Sequence, residues 1–209
     1  MTGGADFEGG ILLATATLAV LLAQALISPV RAAEKDAPKA KGVQLQLDSS
    51  SAVVLEADRN GMPAKTKLTP TASYDGYSLA PAVDGIRKRQ DLSWQDAGWA
   101  SEEAESPHGV EVQFSKPQHG GRFQVTWAYD TNGDANVRWW ISRDFVIQVK
   151  AKASDDWETV LEVKNNQSVV GSYPLPETPF SFLRIYQLAG GGHAGRPNLM
   201  WVGQLELVD

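Results

Sequence analysis

The chain is 209 residues long, carries a formal net charge of −6 and contains no cysteine. That length buries one good-sized core and, once the apolar N-terminal stretch is set aside, leaves too little chain for a second large domain. The acidic balance argues against a nucleic-acid partner, whose phosphates need a basic face. The lack of thiols excludes disulfides, thiolate metal sites and cysteine nucleophiles.

Residues 9–30 carry no charge and hold an apolar centre at residues 11–27. Such a run is long enough for a signal-peptide core and marginal for a bilayer span. Val30-Arg31-Ala32 fits the small-residue cleavage pattern, so residues 1–32 read as an apolar helix serving as signal peptide or membrane anchor. Two features oppose a simple signal peptide: Asp6 and Glu8 precede the apolar run, and Arg31, Lys35, Lys39 and Lys41 come after it. The positive-inside rule, applied strictly, puts the C-terminal part of the chain in the cytoplasm. A cleaved signal, an uncleaved tether and an inverted topology all remain open, with export to the periplasm, cell surface or extracellular space as the expectation. Residues 33–42, rich in Ala, Lys, Asp and Pro, are too polar to order themselves and read as a linker.

From residue 43 to 209 the dominant period is two, the mark of half-buried strands. Val43, Leu45 and Leu47 alternate with Gln44 and Gln46, and Val53 to Glu56 forms a second short run after a Ser49-Ser50-Ser51 turn. These two are expected to extend a sheet edge rather than to pair with another subunit, since an open apolar edge is a liability. Further strands are expected at Val110 to Phe114, Phe123 to Trp127, Phe145 to Val149, Trp157 to Val163, Phe182 to Tyr186 and Gln204 to Val208. Turn signals separate them at residues 117–121, 132–134, 154–156, 165–166 and 190–192. Short strands, frequent turns and no βαβ alternation predict an all-β sandwich with no helix of more than about three turns in this domain.

Six short stretches occur in a telling order: Thr71-Ala72-Ser73, Ala82-Val83-Asp84-Gly85, Gly98-Trp99-Ala100-Ser101, Arg143 to Val149, Leu183-Arg184-Ile185-Tyr186 and Gln204-Leu205-Glu206-Leu207. As a set, from Leu68 to Val208, they resemble the discoidin or coagulation-factor C-type domain of the galactose-binding-like superfamily. The resemblance implies a jelly-roll β-sandwich that binds ligands without catalysis. It also implies that Asp155-Asp156-Trp157 matches an acidic hairpin turn feeding a buried Trp.

Three constellations could carry chemistry. Many members of that family hold a calcium ion between the loop after the "DG" and a glutamate on the last strand, which points here to Asp84 and Glu206. Ile86 departs from the pattern, where an Asp or Asn is usual, and Asp91 and Asp96 in the insertion after it are the substitutes at hand. Calcium takes six to eight oxygens, so two carboxylates would be only part of its shell. The alternative is that Asp84 caps its own turn and Glu206 is a partly exposed strand residue.

The second constellation is the loop before the last strand, with His193, Arg196, Asn198 and Trp201. In sugar-binding relatives such a loop presents an aromatic ring to a pyranose face, while planar polar groups meet its hydroxyls. A Trp201 that merely covers the sandwich end is the competing reading. Arg138, Trp139 and Trp140 form the third. Adjacent residues on a strand face opposite ways, so one Trp can enter the core while the other borders the same end of the domain. Arg and Trp are also the residues of protein–protein hot spots.

No nucleophile elbow or phosphate loop is present, and His108, His119 and His193 lack metal-ligand spacing. The expectation is a non-catalytic carbohydrate-binding module. A protein–protein interaction or envelope structural subunit on the same sandwich is the alternative.

Overall fold

The computed structural model describes residues 43–86, 92–131 and 137–209, and of residues 129–138 it describes no side chain. The signal or anchor segment, the linker, Asp91 and the turn at 132–134 therefore lie outside the described residues. Among the described residues twelve strands run in order: β1 Val53–Val54, β2 Lys67–Pro70, β3 Trp99–Ala100, β4 His108–Gln118, β5 Arg122–Trp127, β6 Tyr129–Thr131, β7 Val137–Trp139, β8 Phe145–Lys150, β9 Glu158–Val163, β10 Val170–Pro174, β11 Phe180–Gln187 and β12 Trp201–Val208. Among the described residues the helices are two 3-10 turns, Ser49–Ser51 and Ala80–Val83. No helix there is long and apolar enough to cross a membrane.

Two antiparallel sheets make the jelly-roll sandwich. One has six strands in the order β1-β2-β4-β11-β8-β9, the other four in the order β10-β5-β12-β3, and β6 and β7 form a separate hairpin. Alternation decides what lies between the sheets: Phe123, Val125 and Trp127 of β5 face inward with Val110 and Val112 of β4, Phe145 and Ile147 of β8, Leu183 and Ile185 of β11, and Leu205 of β12. Each such side chain contributes about 1.5–3 kcal/mol on full burial, which is what a chain without disulfides has to rely on. The β4–β5 turn is made by Gly120 and Gly121 at φ 58° and 68°, a left-handed pair that a side chain would strain.

Two expectations need correction. β1 does join the six-stranded edge, pairing Val53 with Leu68. Residues 43–47, however, make only one bridge, Leu47 to Thr71. Val43, Leu45 and Leu47 instead pack with Val146, Tyr186 and Leu188. Val146 and Tyr186 alternate with the inward Phe145, Ile147 and Ile185, so they lie on the outer face, and residues 43–47 form a strap across it. Trp157, expected in the core, is half-buried on that same face, with the Lys150 ammonium 4.5 Å and the Arg184 guanidinium 4.3 Å from its ring centre. Cations on both strands beside it satisfy the ring without a place between the sheets.

Candidate functional site

At one end of the sandwich β2, β5 and β11 finish while β4, β8 and β12 begin, so the longest connections gather there. Trp201 opens β12 and forms, with Ala100, Ala128 and Leu199, a small apolar cluster separate from the main core. Its ring is 3% exposed. Tyr77 meets it edge-on at 5.7 Å, Trp140 stacks at 5.9 Å with 20° between planes, and Trp94 lies over it at 4.8 Å. Trp94 is 38% exposed and Tyr74, edge-on to Tyr77, is 41% exposed. Trp201 thus supports a layer whose open faces belong to Trp94 and Tyr74. The indole N–H groups of Trp140 and Trp201 are buried with no hydrogen-bond partner among the described residues.

The adjacent Trp pair divides differently from expectation. Trp140 joins this end cluster and carries the hairpin ladder on, its backbone N–H donating to the Ala128 carbonyl at 2.9 Å. Trp139, on β7, is half-buried and belongs to no part of the main core. Arg138 pairs through its backbone with Asp130, and its side chain lies outside the described residues.

Polar groups rim the rings. The Arg196 guanidinium donates to both Glu103 oxygens, at 3.2 and 2.6 Å, and sits 5.5 Å from the Tyr74 ring centre. That bidentate bond holds the Glu103 carboxyl below the usual range and raises Arg196 further above neutrality, while burial pushes the Tyr77 hydroxyl up. His193 lies edge-on to Trp140 at 5.1 Å, and its Nδ1 accepts from the Gly195 N–H at 3.1 Å. Asn198 is half-buried in the same loop.

The loop is held from behind. Arg143 donates from its side chain to the carbonyls of Gly192 at 2.6 Å and Gly190 at 3.1 Å, and the backbone N–H groups of Arg143 and Asp144 both reach the Gly191 carbonyl. A methyl group on Gly192 would sit 2.6–2.8 Å from the carbonyl oxygens of Leu199, Pro197 and Arg196. Only glycine lets the chain double back this closely.

No protein-family model matches the sequence, and no curated protein matches it. Solved structures match in fold. A fucose-binding module of Streptococcus pneumoniae, SpX-3, is 12% identical at a TM-score of 0.54, over 73% of this chain and 98% of that one. A mutant of the lectin-binding domain of lectinolysin complexed with Lewis b is 11% identical at 0.53, over 74% and 97%. A carbohydrate-binding module of Clostridium perfringens in complex with GalNAc-β-1,3-galactose is 12% identical at 0.51, over 69% and 95%. This chain has the galactose-binding-like, discoidin-type fold.

Within this discoidin-type sandwich the two carboxylates of the calcium expectation stand on neighbouring elements. Asp84 ends the Ala80–Val83 turn, which packs on β12, and its Oδ1 accepts from the Ile86 N–H at 2.8 Å. Glu206 is 6% exposed rather than half-open, and its Oε2 accepts from the Gln124 amide at 2.9 Å. Asn60 ties the region together, donating to the Leu205 carbonyl at 2.9 Å and accepting from the Leu207 N–H at 2.7 Å. No group of three or more His, Asp or Glu side chains is placed to hold a metal among the described residues. A calcium ion here would therefore need main-chain carbonyls to complete its oxygens.

Sequence reasoning missed Tyr74, Tyr77, Trp94 and Glu103. A signal for Trp94 existed: an indole between Ser93 and Gln95 in a polar insertion has little chance of entering a core. That insertion attracts attention for its acids, Asp91 and Asp96, and the ring between them is easily passed over.

Proposed function

We propose that this domain is a non-catalytic carbohydrate-binding module that takes its glycan at the loop end of the sandwich. The exposed Trp94 and Tyr74 rings, layered over buried Trp201, carry the reading. A pyranose offers a C–H face that stacks on such a ring, and its hydroxyls need the planar donors and acceptors that Arg196, Asn198 and His193 supply around it. Trp140 backs the same layer. The similar solved structures named for fucose, Lewis b and GalNAc-galactose support a glycan as ligand.

Docking on a protein partner has less behind it. Apart from Tyr74 and Trp94, the large exposed apolar side chains among the described residues are Val54, Ile86, Leu92 and Val170, and Val54 and Val170 stand on edge strands of different sheets. Export or tethering to the membrane is supported by the apolar residues 11–27. Asp84 and Glu206 are proposed to hold a structural calcium ion, supported by the way the Asp84 turn and Asn60 converge on β12. It would fix the turn to the last strand and take no part in stacking.

A glycan-array measurement tests the function. Binding that disappears in Trp94→Ala while the protein keeps its melting temperature is the expected result. A folded wild-type protein that binds no glycan, or a Trp94→Ala protein that binds as before, overturns the reading.

A further inference from the structure

Arg196 is set apart at the loop end by what already holds it. Among the described residues of 73–77, 92–105 and 188–201, the segments that carry Tyr74, Tyr77, Trp94 and Trp201, it is the one Lys or Arg. Its Nε–H and an Nη2–H both donate to Glu103, so one edge of the guanidinium is filled by a carboxylate of the protein itself.

Both partners come from anchored backbone. Ser101, two residues before Glu103, donates its N–H to the Met200 carbonyl at 2.9 Å, and the Glu102 N–H reaches the Ala72 carbonyl at 2.8 Å. Arg196 closes a turn in which its own N–H donates to the His193 carbonyl at 2.9 Å. The pair therefore joins two fixed segments, one leaving β3 and one leading into β12. Both side chains are about a third exposed, and the guanidinium is 5.5 Å from the centre of the open Tyr74 ring, so a glycan stacked on that ring meets the pair directly.

An unoccupied guanidinium fork is the side chain best suited to a carboxylate, which it takes in two parallel hydrogen bonds. Here Glu103 has that place. A sugar carboxylate must either displace Glu103 and leave its charge unpaired, or bind across the guanidinium, where one positive charge then faces two negative ones. Asp75, next to Tyr74, and Asp96, two residues after Trp94, add exposed carboxylates. A hydroxyl meets neither cost, because the remaining N–H groups of Arg196 donate to it without any change of charge.

We propose that the loop-end site selects uncharged glycans, and that Glu103 sets this selectivity by occupying Arg196. This rests on the carbohydrate-binding reading and narrows its ligand to neutral sugars, against those that carry a uronic or sialic acid. Specificity of this kind is a difference of affinities, built as much by what is repelled as by what is held.

A glycan array carrying neutral, uronate-bearing and sialate-bearing sugars separates the outcomes when it is read with the wild type, Glu103→Gln and the double variant Glu103→Gln/Arg196→Met. The wild type should retain neutral sugars and none of the acidic ones. Glu103→Gln should gain acidic sugars. Isothermal titration of one of these against the best neutral binder should show the ratio of affinities shifted about 10-fold or more toward the acid, as a charge-assisted hydrogen bond does. Removing Arg196 as well should abolish the gain. The exposed pair adds little to the fold, so both variants should melt within about 3 °C of the wild type. A folded Glu103→Gln protein with the wild-type ratio overturns the proposal, and so does a gain that survives the loss of Arg196. A wild type that prefers acidic sugars overturns it too, while the loop-end reading stands in all three cases. A wild type that binds no sugar of any kind overturns both.

Discussion

Trp94 and Trp201 are in ring contact, yet replacing them should do opposite things. Trp201 is 3% exposed at the centre of the end cluster, so Trp201→Ala opens a cavity and should cost about 3 kcal/mol of stability, read as a lower urea midpoint. Trp94 is the open face. Trp94→Ala should cost about 1–3 kcal/mol of glycan affinity, as aromatic anchors do, and well under 1 kcal/mol of stability. Glu103 gives a second residue-scale test. Its folded carboxyl lies below the unfolded value because Arg196 bonds it, so its contribution to stability is present above the ordinary glutamate range and is lost as pH falls through the lowered value. Both side chains are about a third exposed, so the pair is worth only about 0.5 kcal/mol. An NMR titration should find Glu103 ionising below the usual range in the wild type and back within it in Arg196→Met; unchanged titration in the variant would remove Arg196 as the cause.

At the scale of elements, period two located β4, β5, β8, β11 and β12 because each buries one face between the sheets, and burial is what alternation records. The same pattern misplaced residues 43–47. Alternation states that one side of a segment is covered, but not by what. Here the cover is the outer face of the six-stranded sheet, where Val146 and Tyr186 wait. Trp157 went wrong by the reverse route, since an aromatic at a strand start is as well satisfied by two cations as by a core. The loop before β12 was legible in composition, through its four glycines, its His, Arg and Asn, and the Trp that follows it. Its dependence on Arg143 was not, because that contact joins residues far apart in the chain. Gly192→Ala forces a methyl group against three carbonyl oxygens. It should lower glycan affinity at least as much as it lowers stability, because the loop that carries His193, Arg196 and Asn198 must move. A variant with wild-type affinity would show that the loop's conformation does not matter to binding.

For the whole molecule the question is what holds a cysteine-free sandwich together. The main core extends between both sheets and takes in Met62, Ala82 and Val83, so the turn before Asp84 and the Asn60 loop are packed into it, and Asn60 is also hydrogen-bonded to β12. An ion shared by Asp84 and Glu206 would bind only the folded chain, since the two carboxylates are far apart in sequence. Ligand that binds only the native state stabilises it by about 2.7 kcal/mol at a hundredfold excess over its dissociation constant. For a domain of this size that amounts to a rise of about 5–10 °C in melting temperature. Calcium added to chelator-treated protein should therefore raise the thermal midpoint by that much, magnesium should do so far less because it resists giving up its waters, and Glu206→Gln should lose the response. Unfolding that is the same in calcium and in chelator would mean that Asp84 serves only its own turn and Glu206 only Gln124.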